Sequence, residues 1–230
     1  MLYRILPAEY GIKSLSSATL KLGNVLEFND PYDSLLFLTH PDPRILQSNL
    51  NEAAAKQRAA QFGAYGILCL TENPQSTCTW AHYAANHTGI ALGFEFDVSR
   101  EDLIQIKYQP SRPYLDITKP LEPNSDETTR RVMTCLETKS PDWEYESERR
   151  IIVRANDPSV FRRRLSRNDS KTALFIPMPS ELKVVVLGYK CSPTDEAIVR
   201  RIIKNNYNGQ VSVMRCTLSS GTFNLEIINA

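Results

Sequence analysis

The chain has 230 residues, of which 42% are hydrophobic and 23% charged, and its formal net charge is +1. That length and apolar content suffice for one core, and no composition shift or Gly/Ser-rich linker divides the chain, so a single domain over residues 1–230 is expected rather than disorder. Near-neutral charge gives no global pull towards nucleic acid, and a signal-like N-terminus and any apolar run near the ~20 residues that cross a bilayer are both missing, which argues against secretion and membrane insertion.

Leu2–Leu6 reads as a short strand feeding the core, and Ser14–Leu22 as a short helix running into an extended piece. Asn29-Asp30-Pro31 then breaks regular structure, because Asn and Asp hydrogen-bond their own backbone and fix a turn. Ile45–Phe62 has the Ala, Gln, Glu and Lys content of a helix, with a modest apolar stripe through Leu46, Leu50, Ala53, Ala54 and Ala60. Tyr65–Leu70 and Gly89–Phe96 have strand character, and Ser76 or Thr77 can cap a helix between them, running through Trp80 to Asn86. Leu103–Tyr108 reads as a strand, Ser125–Lys139 as a capped helix and Arg150–Arg154 as a β-branched strand.

In the last third, Ala173–Pro177 and Lys183–Gly188 are apolar strands. Ser192-Pro193-Thr194-Asp195 combines a cap serine, a proline at the first helical position and an acidic first turn, so it starts a helix that runs to about Asn206. Gln210–Leu218 and Thr222–Ile228 form a hairpin around Ser219-Ser220-Gly221. The elements add up to an α+β chain with a mixed or antiparallel β-sheet core and flanking helices. Five scattered cysteines, odd in number and mostly within apolar runs, suit buried thiols in a reducing compartment, hence a cytoplasmic protein.

Several chemistries lack their motifs. Neither G-x-x-x-x-G-K-[ST] nor G-x-G-x-x-G is present, no G-x-S-x-G elbow exists, and no pair of Cys-x-x-Cys motifs or suitably spaced histidines encodes a metal site. Three constellations remain. Trp80-Ala-His-Tyr83 with Asn86-His87 would place Trp80, Tyr83, Ala84 and His87 on one side of a helix and His82 with Asn86 on another; taken alone, the segment is better explained as a packed aromatic face with His82 hydrogen-bonded inside.

Trp143-Glu-Tyr-Glu-Ser-Glu-Arg-Arg150, if extended, lines Glu144, Glu146, Glu148 and Arg150 along one side. Three like charges need a cation, for which Arg4, Arg150 or a substrate's developing positive charge are candidates; an exposed acidic edge is the plain alternative. Phe28-Asn-Asp-Pro-Tyr-Asp33 is an architectural turn that could hold Asn29 or Asp30 at a pocket. Between Arg149 and Lys171, eight basic residues face only Asp157 and Asp169, an excess that fits either a solvated loop or a surface for nucleic acid or acidic protein.

In order along the chain, L-Y-R-I, F-N-D-P-Y-D, C-L-T with W-A-H-Y-A-A-N-H-T-G-I-A-L-G-F, and W-E-Y-E-S-E-R-R-I resemble the bacterial domain-of-unknown-function family numbered twenty-nine seventy-one. The resemblance spans nearly the whole chain and carries a remote similarity to ADP-ribosyltransferase-like folds. It implies NAD as the bound molecule, with Arg4 holding its ribose or phosphate, Thr71 at the Ser/Thr strand-end position, and Tyr83 with Trp80 or His82 flanking the nicotinamide. Tyr3 and His87, in the same segments, join that binding set. Glu148 or Glu146 is the implied catalytic carboxylate.

The resulting expectation is an NAD-dependent mono-ADP-ribosyltransferase acting on a nucleic acid or protein, as a toxin or phage-defence protein. The alternatives are an NAD glycohydrolase, a non-catalytic nucleotide- or nucleic-acid-binding module, and a nuclease in which Asp30, Glu146 and Glu148 bind Mg²⁺.

Overall fold

The computed structural model describes residues 1–34, 37–39, 65–97, 99–100, 102–116, 125–165 and 172–230. In chain order the first elements are β1 (Leu2–Leu6), α1 (Ala8–Ser17), β2 (Thr19–Lys21), β3 (Phe37–Thr39), β4 (Tyr65–Thr71), α2 (Thr77–Tyr83) and β5 (Ile90–Phe94). Then come β6 (Leu103–Gln105), β7 (Lys107–Tyr108), β8 (Tyr114–Asp116), α3 (Asp126–Leu136), β9 (Thr138–Lys139) and β10 (Glu148–Arg154). The last are β11 (Phe161–Arg164), β12 (Thr172–Pro177), β13 (Leu182–Leu187), α4 (Pro193–Asn206), β14 (Ser212–Leu218) and β15 (Leu225–Asn229). The chain is thus mixed α and β. The helix expected over Ile45–Phe62 lies outside the described residues.

An eight-stranded mixed sheet organises the molecule in the order β15-β14-β13-β5-β1-β4-β10-β6. Its neighbours are antiparallel except β13 and β14, which α4 joins as a crossover. The centre is occupied by β5, whose five residues are all buried, as expected for a strand covered on both faces. One face packs Leu68, Leu70, Leu92, Phe94 and Val185 against α1 and α4; the other packs Ile5, Ala91, Val184 and Val186 against Trp80 and Ala84. Smaller sheets, β11-β12-β2, β3-β8 and β7-β9, flank this frame.

Local chemistry explains where the elements differ from expectation. α1 starts at Ala8 rather than Ser14, because Pro7 holds φ at −53° at its cap and Glu9 supplies an acid in the first turn; it stops where Ala18 turns left-handed, at φ 47°. α2 is capped by Ser76, whose Oγ accepts from the Thr79 N–H, but ends at Tyr83, and Ala85, Asn86 and His87 follow with positive φ. Residues Pro141–Glu146 wind into a 3-10 turn capped by Ser140 and closed by left-handed Ser147, so the extended reading of Trp143–Arg150 holds only from Glu148 onward.

Candidate functional site

β1 pairs with β4 only where Tyr3 lies opposite Thr71, and Thr71 in turn lies opposite Glu148 of β10. Beyond that point β1 and β4 are not laddered, and the Arg4 guanidinium spans the gap to donate to the Cys69 carbonyl at 2.8 Å. A cavity of about 280 Å³ occupies this region. Arg4, Thr71, Tyr83, Lys139, Glu146 and Glu148 line it, with Phe28, Asp30, Asp33 and Arg150.

Its floor is a buried ionic cluster. Arg150 is fully buried, and each of its five N–H donors has an acceptor. Nε and Nη2 meet the two oxygens of Glu148 at 2.8 and 3.0 Å, Nη1 and Nη2 meet those of Asp33 at 3.0 and 2.5 Å, and Nη1 also reaches the Leu136 carbonyl at 3.0 Å. The Lys139 ammonium bridges Glu146 at 2.6 Å and Glu148 at 3.1 Å, with Asp33 at 3.8 Å, and sits 4.8 Å from the centre of the Trp143 ring. Tyr83 donates its hydroxyl to the other oxygen of Glu146 at 2.6 Å, and the Tyr108 hydroxyl accepts the Glu148 backbone N–H at 2.8 Å. Thr71 donates to the Glu146 carbonyl at 2.5 Å, tying the strand end to the 3-10 turn.

The two glutamates are driven in opposite directions. Burial raises the proton affinity of Glu146, and the nearby Glu148 adds to this; Lys139, shared among three carboxylates, only partly offsets it, so its pKa lies above the ordinary 4.5. Burial pushes Glu148 the same way, but Arg150 and Lys139 together outweigh it and hold its carboxyl well below the usual range. Burial disfavours charge on Lys139, yet Glu148, Glu146 and Asp33 more than compensate and keep it protonated. Burial, with Glu146 alongside, makes the Tyr83 hydroxyl a poor acid, so it stays a donor.

Of the sequence candidates, Arg4, Thr71, Tyr83, Glu146 and Glu148 come together at the cavity. Tyr3, Trp80, His82 and His87 do not line it. Tyr3 lies in the apolar layer with Ile5 and Val184; Trp80 is fully buried there, its indole N–H donating to the Pro74 carbonyl at 2.8 Å. His82 is exposed on the outer side of α2, its Nδ1 2.8 Å from the Tyr145 hydroxyl and its ring beside Trp143 and Tyr145. His87 is carried away by the left-handed turn, where its carbonyl accepts from the Lys190 N–H. The helical wheel misplaced His87 because α2 ends at Tyr83 and the chain then turns left-handed, whereas Trp80 and His82 sit on α2 but on faces turned to the core and to solvent.

Glu144 is exposed for a similar reason: the 3-10 turn, not strand alternation, brings Glu146 to Glu148. Lys139 and Asp33 were missed. Lys139 read as the last basic residue of a helix that in fact stops at Leu136, and in the FNDPYD turn it is Asp33, not Asn29 or Asp30, that joins the cluster. Three carboxylates in one segment were a signal that cations lay nearby, but spacing did not identify them. The basic surface also shrinks, since Arg150 is buried and Arg149 pairs with Glu72 at 2.8 Å; Arg162, Arg163 and Arg164 stay exposed on β11, while Arg167 and Lys171 lie outside the described residues.

Among the described residues no three or more of His, Cys, Asp and Glu are grouped so as to hold a metal ion, and the Lys139 ammonium bridges the two glutamates proposed for Mg²⁺. No helix among them is long and apolar enough to cross a membrane.

Residues 79–151 match a family described as Protein of unknown function (DUF2971). Over these residues the chain is similar to that family. The matched segment carries Tyr83, Lys139, Glu146, Glu148 and Arg150, whereas Arg4, Asp33 and Thr71 reach the cavity from the chain before it. No curated protein and no solved structure matches the chain.

Proposed function

We propose that the cavity takes the nicotinamide-ribose half of NAD and that the chain transfers ADP-ribose from it to a macromolecular acceptor, on an ADP-ribosyltransferase-like fold. The observation that carries this reading is the pair Glu146 and Glu148, two buried carboxylates held by one ammonium and displaced in opposite directions. Environments that separate two carboxylates in this way assign them different roles in acid and base chemistry. A cavity of about 280 Å³ suits a nucleoside-sized group and leaves the adenosine half outside.

In the proposed step the bond between C1′ and the nicotinamide nitrogen breaks, its electron pair leaves with neutral nicotinamide, and positive charge passes to the sugar carbon. Asp33, Glu146 and Glu148 against Lys139 and Arg150 leave one negative charge in excess, the sign that favours both the cationic ring and the developing sugar cation. An acceptor O–H or N–H then bonds to C1′ and yields its proton to Glu146, whose raised proton affinity suits a general base. Glu148, whose oxygens accept three donors from Arg150 and Lys139 and whose proton affinity is depressed, is a positioning residue. Tyr83 orients Glu146, and Arg4 offers its guanidinium to the pyrophosphate.

Water as acceptor would make the chain an NAD glycohydrolase. The reduced basic surface, with Arg150 buried and Arg149 paired, favours this second reading over an acceptor bound along Arg149–Lys171. Incubation with NAD labelled in its adenosine half, plus cellular RNA and lysate protein, separates them. Label on a macromolecule supports transfer; nicotinamide released without it supports hydrolysis. In either case Glu146→Gln should lower nicotinamide release by about 100-fold or more. An unchanged rate sinks the assignment of Glu146.

A further inference from the structure

Two residues of the cavity wall each have a buried polar atom without a hydrogen-bond partner: Oδ2 of Asp30 and Oγ1 of Thr79. Asp30 is 5% exposed and Thr79 3%. They come from separate elements, Asp30 from the turn before Pro31 and Thr79 from the first turn of α2. The Asp30 carboxylate is fixed by its other oxygen, which accepts the Tyr32 N–H at 2.8 Å, and the Thr79 backbone N–H is taken by the Ser76 cap at 3.3 Å. The remaining oxygens have no such role, and buried polar groups of this kind are nearly always met by something.

What meets them must bring a hydrogen-bond donor to Asp30, since a carboxylate only accepts, and cannot bring a phosphate there, since like charges repel. Thr79 can donate or accept. Sugar hydroxyls satisfy both, and a carboxylate against a ribose hydroxyl is an established way to hold a dinucleotide. The geometry points to a ribose-binding subsite formed by Asp30 and Thr79, with the hydroxyls of a nucleoside sugar as its ligand. The identity of that nucleoside as nicotinamide riboside rests on the NAD reading above, but sugar binding does not require that the glycosidic bond be cleaved.

Asp30→Asn keeps the oxygen that accepts from Tyr32 and replaces the unpartnered acceptor by a donor; Thr79→Val keeps the shape and removes the hydroxyl. Calorimetric titration of wild type and both variants with nicotinamide riboside and with free nicotinamide reads the subsite directly. Wild type should prefer the riboside by about tenfold or more; Asp30→Asn should abolish that preference and Thr79→Val should cut it by about threefold. Free nicotinamide should bind all three proteins alike. A riboside no tighter than free nicotinamide on wild type, a preference that survives Asp30→Asn, or an equal loss for free nicotinamide overturns the subsite. NAD cleavage with the preference intact in Asp30→Asn leaves the enzyme reading standing without this subsite, whereas riboside preference lost in Asp30→Asn without NAD cleavage does the reverse.

Discussion

β1 meets β5 over five residue pairs, from Leu2 opposite Phe94 to Leu6 opposite Ile90, but meets β4 at Tyr3 opposite Thr71 alone. On the β5 side the sheet continues into β13, where Val184, Val185, Val186 and Leu187 are buried among apolar neighbours. On the β4 side Arg4 reaches across to a carbonyl that no β1 amide takes up, and behind it lie Asp33, Lys139, Glu146, Glu148 and Arg150. A ladder that is not continued leaves room and polar backbone, and the room here is walled by charge. The β5 side keeps the frame rigid, and the β4 side keeps charges where water is scarce.

The sharpest way to break this comparison is to strand the charges. Arg150→Met removes five donors from Asp33, Glu148 and the Leu136 carbonyl, so unfolding in urea should show a loss of about 3–5 kcal/mol. Adding Glu148→Gln in that background should recover part of the loss, because one stranded carboxylate is neutralised. A single variant within about 1 kcal/mol of wild type would mean that the charges are not sealed from water.

The closed side fails differently, by crowding. A Cβ at Gly93 would lie 2.5 Å from Val184 Cγ1 and 2.8 Å from Tyr3 Cε1, so Gly93→Ala should cost about 1–3 kcal/mol in thermal unfolding. Gly93 faces β1 across the full ladder, and the effect should leave the ligand preferences of the cavity unchanged. A neutral Gly93→Ala would show that the frame has slack.

Much of the closed side was legible from the chain alone. The apolar run of β5, the Ser192-Pro193 start of α4 and the strand character of β13 are local signals, and tertiary packing agrees with them. The open side was legible only in part. Arg4, Tyr83, Glu146 and Glu148 stood out by residue type, but Asp33 lies 117 residues from Arg150 and no period relates them. The short α2, the 3-10 turn and left-handed Ser147 are set by backbone geometry that helical wheels and strand alternation do not contain.

Acid and base titrations test the same side with smaller, opposed effects. Glu148 has a depressed folded pKa, so its contribution is present above its ordinary 4.5 and is lost as pH falls through the folded value; Glu148→Gln should flatten the acid limb of stability against pH. Glu146 has a raised folded pKa, so its contribution is present below 4.5 and is lost as pH rises through the folded value; Glu146→Gln should flatten the limb above 4.5. The readout is the slope of urea-unfolding stability in each window. Equal slopes for both variants would show that the two carboxylates share one environment.

The smallest effect should come from the arginine beside the largest one. Arg149 alternates to the other side of β10 and pairs with Glu72, whose side chain is 39% exposed, so water and salt screen the pair. Arg149→Ala should change stability by less than about 1 kcal/mol in low salt, and by less still in about 1 M salt, where the screening length is only a few ångströms. Arg150→Met should lose nearly as much in high salt as in low, because its partners are closed off from solvent. If the two variants respond to salt alike, the separation between a sealed cluster and an ordinary strand surface fails one residue from where it is drawn.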